Sequence, residues 1–261
     1  MTGFLLKKTF FDLWDNAFRI ALLNLGFIAS VAFFLLVRLL LEEFFPLPDA
    51  VSWSVFFLGT LWCSAYLSAA SVCVKNVSDY ASFGFDDFLK GLRSAWTGGI
   101  AYGAYFCLAA AALGFVIPFY LLLNNAAGLL AASTVFWITA ASSALFQYFF
   151  PVRSRLGAKN IKALKKCFLL FIDNPLFFIG TTVLSALFLV ISVFFAFLFP
   201  GPAGILLFFD EALRLRLLKY DWLEQNADTG RRRIPWDTIL ADEREKTGNR
   251  TVRGLIFPWK D

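Results

Sequence analysis

Apolar residues in this chain fall in long uninterrupted blocks, not at the period of 2.0 or 3.6 that marks a half-buried strand or a surface helix. The blocks lie near 17–41, 52–74, 97–123, 129–150, 175–199 and 203–219. At 1.5 Å per residue, each of the first five is long enough to cross about 30 Å of hydrocarbon as a helix. Charges collect between the blocks and segregate by sign. Lys7, Lys8 and Arg19 stand at the start; Lys75, Lys90 and Arg93 lie between the second and third blocks. Arg153, Arg155, Lys159, Lys162, Lys165 and Lys166 lie between the fourth and fifth. The other connections hold Glu42, Glu43 and Asp49, the uncharged NNAAG at 124–128, and PGP at 200–202, with Arg38 their one basic neighbour. Basic loops stay on the cytoplasmic side, which puts the N-terminus, both long basic loops and the C-terminus in the cytoplasm. The predicted fold is all-α: a polytopic membrane bundle over 1–219, six transmembrane helices in three hairpin units, then a cytoplasmic tail over 220–261.

The sixth block, GILLFFDEALRLRLLKY, fits this scheme least well. Asp210, Glu211, Arg214 and Arg216 would cost on the order of 10 kcal/mol near the bilayer centre, while its Leu, Ile and Phe return only about 5. Five spans, however, would leave Arg214, Arg216, Lys219 and Arg231 to Arg233 on the wrong side. The expectation is therefore a crossing helix that inserts with help from its neighbours, Arg216 and Lys219 reaching back to the cytoplasmic surface. A re-entrant or surface helix is the alternative. In the tail, Pro235 suits a first helical turn, WDTILADEREKT a short helix and Gly248 its stop. Trp236, Ile256, Phe257 and Trp259 give the tail apolar anchors, for its own cytoplasmic face or for a partner or lipid surface.

Three short segments before the odd-numbered spans have helical spacing of a different kind. One face carries Leu6, Phe10, Leu13, Trp14 and Ala17 in the first, and Phe85, Phe88, Leu89, Leu92 and Trp96 in the second. In the third it carries Ile161, Leu164, Phe168, Phe171 and Ile172, opposite Lys159, Lys162 and Lys166. Each reads as an amphipathic helix in the membrane interface, with Lys7, Lys8, Lys165 and Lys166 toward headgroups and Trp14 in the boundary. Asp15 stands close enough to pair with Arg19. KKTFFDLWDN at 7–16 and KKCFLLFIDN at 165–174 agree at five of ten positions. Either an ancestral repeat or the shared demands of entering a membrane accounts for that.

Composition narrows the function. Only 16% of the 261 residues are charged, against roughly a quarter in soluble domains. The first apolar run is too long for a cleaved signal and is expected to remain as a span. The net charge of +5 is distributed as a topology signal, so nucleic acid is not an expected partner. There is no histidine, which removes the commonest general base and metal ligand. Cys63, Cys73, Cys107 and Cys167 form no CxxC pair and read as small buried hydrophobes. With no phosphate-binding glycine loop, serine–base arrangement or metal cluster in sight, neither a cofactor nor an enzymatic activity is expected. Small residues point to close packing: Gly99 and Gly103 in the third span, Ser64/Ser68 and Ala65/Ala69 in the second. Pro118 is expected to kink the third span.

LLNLGFIAS in the first span, FDDFLKGLRSAW before the third, and YFFPVRSRLGAKNIKALKKCFLLFIDNP before the fifth resemble the YesL-like bacterial membrane proteins. The matching positions are Asn24, Asp87-Phe88, and Phe150-Pro151 with Arg153 or Arg155. The resemblance covers roughly 10–220. It departs where the chain reads GTLWCSA in the second span, and in the tail. It implies a protein of the bacterial inner membrane linked to carbohydrate uptake systems, in a family with no established activity.

The candidate site is Asp210, Glu211 and Arg214, spaced to share one helical face near mid-membrane. Two readings stand: a substrate or proton site, or a self-satisfied cluster that holds the last helix in place. Asn24, Asn124, Asn125 and Gln147 read as interhelical hydrogen-bonding groups before ligand-binding ones. Arg231, Arg232 and Arg233 suit topology and contact with anionic lipid. The expected function is an accessory or scaffold component of a membrane transport complex, with a small-solute or ion permease as the alternative.

Overall fold

The computed structural model describes residues 1–44, 49–226, 234–248 and 250, with backbone alone at 49 and 50. The described residues are helical, with no strand among them. The helices are α1 (Thr2–Asp15), α2 (Ala17–Phe44), α3 (Asp49–Ser78), α4 (Phe85–Ala111), α5 (Ile117–Leu122) and α6 (Ala126–Phe146). There follow α7 (Phe149–Leu156), α8 (Asn160–Asp173), α9 (Pro175–Phe194), α10 (Gly201–Gln225), α11 (Trp236–Ile239) and α12 (Ala241–Thr247). Five continuous stretches are long and apolar enough to cross a membrane: Ala17–Phe44, Val51–Ser78, Phe85–Leu122, Ala126–Leu156 and Pro175–Phe194. Their outer faces are those of an integral membrane protein, with Phe33, Leu39, Phe119, Trp137, Leu187 and Phe194 all exposed.

Two of the three entry helices are distinct elements. Asn16 closes α1, and Asn174 separates α8 from α9. The middle one is not distinct. Asp87 accepts from the Gly84 backbone N–H at 2.9 Å, which starts α4 at Phe85, and the helix then runs unbroken into the span. The third span widens into a π-helical turn at Ala112–Val116, directly before Pro118. A wider turn re-routes the carbonyls that proline cannot serve, so the helix continues instead of ending. At Asn125, the side chain caps α6 by accepting from Gly128 N–H at 2.7 Å.

The tightest contact is between α3 and α4. A methyl group built on Gly99 would lie 2.2 Å from Ala65 Cα, and one on Gly91 would lie 3.1 Å from the Ala69 carbonyl oxygen. Only glycine lets these two backbones approach so closely.

The hairpin of α9 and α10 is displaced along the bundle. Asn24, seven residues into α2, bonds to the backbone at Leu198, Pro200 and Ala203, where α10 begins. Tyr66, midway along α3, donates to the Leu23 carbonyl at 2.8 Å, at the same level. At the other end, Arg214 bonds Ser78, the last residue of α3. Hence α10 runs beside the second half of α3 for about 18–20 Å and then projects past it. The expected sixth crossing begins part-way along its neighbours, and Gly201–Gln225 is not among the five stretches long and apolar enough to cross a membrane. The fifth apolar block also ends earlier than its sequence suggests: α9 stops at Phe194, and 195–200 forms the turn, with Ala196 and Phe197 in the left-handed region.

Burial in this hairpin runs opposite to hydropathy. Apolar α9 buries four of its 20 residues, whereas α10, with its charges, buries twelve of 25. Around α10 gather Leu5 and Leu13 of α1, Ile20 of α2, Cys73 and Val74 of α3, Tyr148 and Phe149 beside α7, and Leu240 of the tail.

Candidate functional site

Five segments converge on the middle of α10: α1, the end of α3 with the turn after it, α7, α10 itself and α12. Asp210 is fully enclosed and pairs with Arg155 of α7. The same guanidinium reaches Asp79 at 3.0 Å and Ser78 Oγ at 2.7 Å. Glu211, also enclosed, accepts a hydrogen bond from Thr9 of α1 and lies 3.8 Å from Lys8 Nζ. Lys8 pairs in turn with Asp12 and donates to the Ser78 carbonyl at 3.2 Å. Arg214 donates to the Ser78 carbonyl, to Asp79 at 2.7 Å and to Glu243 of α12 at 2.6 Å. Glu243 takes a second hydrogen bond from Tyr80 OH at 3.0 Å, and Lys8 Nζ sits 4.1 Å from the centre of the Tyr80 ring.

Asp210, Glu211 and Arg214 thus belong to one cluster, but Arg214 pairs with neither acid of its own helix. Spacing along a helix puts three residues on one face; packing decides which partners arrive first. The cluster also lies at the closed end of α3, level with Ser78, and not near the mid-plane of the spans. The displacement of α10 along the bundle accounts for this. Lys8 departs from the headgroup-facing role read from the sequence: its side chain is wholly buried. Burial opposes its charge, but Glu211 and then Asp12 outweigh that cost and hold its pKa above the usual lysine value. Burial is also the main reason the Tyr80 phenol is pushed up.

Two features of the local backbone make the convergence possible. Tyr80 adopts φ of 59°, a left-handed turn that closes α3 and swings its ring over Lys8. Gly157, at φ of 56°, ends α7 directly after Arg155. The cluster contains five carboxylates (Asp12, Asp79, Asp210, Glu211, Glu243) against three cations (Lys8, Arg155, Arg214). Asp210 Oδ1 and Glu211 Oε1 accept no hydrogen bond from the described residues.

Asn24 lies apart from this cluster, at the start of α10. Its amide donates to the carbonyls of Leu198 at 3.0 Å and Pro200 at 2.7 Å, and its oxygen accepts from Ala203 N–H at 2.8 Å. It therefore satisfies an otherwise orphaned N–H of the first turn of α10. Gly201, at φ of 61°, leaves room for it: a methyl group there would lie 2.3 Å from the Asn24 amide nitrogen.

The other candidates distribute as follows. Lys7 donates to the Gly248 carbonyl at 3.1 Å, tying α1 to the end of α12. Trp14 is half exposed and stacks on Phe10, as an interface residue would. Lys165 and Lys166 stand exposed on α8. Trp236 packs against the core, and Leu240 behind it is fully buried, so this part of the tail docks on the protein itself. Asp15 pairs with Arg250 at 2.5 Å instead of Arg19, and Asp173 accepts from Tyr220. Arg216, expected at the surface, lies over the Phe177 ring at 3.8 Å. Arg231, Arg232, Arg233, Phe257 and Trp259 lie outside the described residues.

Ser78, Asp79, Tyr80, Arg155 and Glu243 were not legible as site residues. The available signals were that Asp79-Tyr80 and Arg155 flank apolar blocks on the same predicted side as α1, and that Arg153 or Arg155 is a matching position of the YesL-like resemblance. No family model, curated protein or solved structure matches the chain.

Proposed function

We propose that this is a multi-pass protein of a bacterial inner membrane, with both termini cytoplasmic, that serves as an accessory or scaffold component of a membrane transport system. It has no catalytic activity of its own in this reading. The YesL-like resemblance makes carbohydrate uptake the system of choice. One observation carries the preference for scaffold over permease: Asp210, Glu211 and Arg214 of α10 are taken up by partners from four other segments of the same chain, with α12 closed over them. Cavities of about 410, 520 and 670 Å³ between the helices are walled mainly by apolar side chains, as suits lipid and not a polar solute. Purification in mild detergent followed by identification of bound proteins tests the reading. A transporter subunit that co-purifies, and is lost when 227–261 are deleted, supports it. A protein that purifies alone and whose deletion is silent in cells sinks it.

A proton or small-cation permease is the second reading, favoured by the excess of carboxylates and by Asp210 Oδ1 and Glu211 Oε1, which accept no hydrogen bond from the described residues although Lys8 Nζ lies 3.8 Å from the latter. Flux into vesicles reconstituted with the pure protein decides between them. Uptake that disappears in Glu211→Gln protein of normal melting temperature would establish the permease.

A further inference from the structure

α8 lies against α6 without closing on it. Of its 14 residues only Ala163 and Cys167 are buried, and a groove of about 670 Å³ remains between the two helices. Ala141, Leu145 and Phe146 form the α6 wall; Leu164, Phe168 and Leu169 form the α8 wall. Lys165 is the one charged residue lining it. Engineered apolar cavities of about 150 Å³ stay dry and take up apolar guests. A groove over four times larger, with walls of this kind, demands an apolar occupant of some length.

The mouth has the opposite chemistry. Lys165 lines the groove and Lys162, about one helical turn earlier, is exposed beside it, and among the described residues neither is paired with a carboxylate; Lys166 lines a separate groove beside Asp173. An apolar slot with Lys165 on its rim and Lys162 one turn before it matches an amphiphile with one long chain inside and an anionic head outside. We infer that the α6–α8 groove is a binding site for an anionic phospholipid, one acyl chain lying along Leu145, Phe146 and Phe168 and the headgroup phosphate held by Lys162 and Lys165. Phosphate geometry suits lysine as a point charge, and a basic interface helix supplies the attraction to an anionic leaflet. The site is independent of the scaffold role and would stand if that role failed.

Native mass spectrometry and thermal melting of the detergent-purified full chain test it, with dioleoyl phosphatidylglycerol, dioleoyl phosphatidylcholine or inorganic phosphate added. The wild type should retain phosphatidylglycerol and melt about 2–4 °C higher with it, but respond little to phosphatidylcholine or phosphate. K162Q/K165Q should remove the preference for the anionic lipid. Ala141→Trp, which fills the slot, should abolish retention of either lipid. Equal responses to both lipids in the wild type, or an undiminished phosphatidylglycerol response in K162Q/K165Q, would overturn the site. So would a matching shift from phosphate alone. Should Ala141→Trp melt abnormally without lipid, the lysine variant still decides the question.

Discussion

α9 and α10 are the two arms of one hairpin, yet they follow opposite rules. α9 is almost purely apolar and turns most of its surface outward; α10 carries two acids and two arginines within seven residues and is enclosed by five other segments. In water the apolar arm would be inside. Against hydrocarbon, apolar surface costs nothing to expose, while an unpaired charge is expensive, so the polar arm takes the interior. The consequence for stability is uneven: α10 is held by charged partners from across the bundle, α9 by a few neutral hydrogen bonds, such as Tyr148 OH to Thr181 and Thr182 to Gln147, along an otherwise exposed surface.

That contrast is open to direct attack. The largest effect is expected from Arg155→Leu, which strands Asp210 as a buried unpaired charge and should cost about 3–5 kcal/mol, read as a lowered midpoint in detergent melting. Asn24→Ala is expected next. It removes three hydrogen bonds at the head of α10 and should cost about 1–3 kcal/mol. Increased proteolysis or labelling around 195–203 would locate that loss. Glu243→Gln should be milder, about 1 kcal/mol, because the amide oxygen can still accept from Arg214 while its NH2 donates to the Tyr80 hydroxyl oxygen. Its signature is earlier protease cleavage of the tail, before global melting. Val190→Ala on the exposed face of α9 should change stability by no more than about 0.5 kcal/mol. A loss comparable to that of Asn24→Ala would show that α9 is held by packing after all.

The Lys8 charge has a pH signature of known sign. Its pKa is raised on folding, so its stabilising contribution is complete below the ordinary lysine value and is lost as pH rises through the folded value. The melting difference between wild type and Lys8→Met should therefore stay constant from pH 6 to 9 and shrink only in stronger base. A difference that shrinks already below pH 8 would mean the ammonium is not paired as described.

Much of the architecture was legible in advance for one physical reason: hydrocarbon forces long apolar blocks, and blocks survive without knowledge of contacts. The five spans, the close approach at Gly99 and the separate entry helices α1 and α8 all follow from block length, small residues or amphipathic spacing. What was not legible depends on register between segments far apart in sequence. Nothing in GILLFFDEALRLRLLKY states that it starts level with Tyr66, so its acids were placed too deep. Nor does the i, i+4 spacing of Asp210 and Arg214 reveal that Arg155, 55 residues earlier, reaches Asp210 first. Lys8 shows the same limit: a lysine on an amphipathic helix points to water by default, and Glu211, arriving from α10, joins Asp12 in making its burial tolerable.

The central claim is that the polar residues of α10 are held by partners across the bundle and serve to fix that helix. A double-mutant cycle on Arg155→Leu and Asp210→Leu, followed by reversible thermal melting in one detergent, tests it most directly. The account predicts that each single change is strongly destabilising, that the double variant recovers much of the loss, and that the coupling is at least about 2 kcal/mol. Losses that simply add, with coupling under about 0.5 kcal/mol, would contradict it.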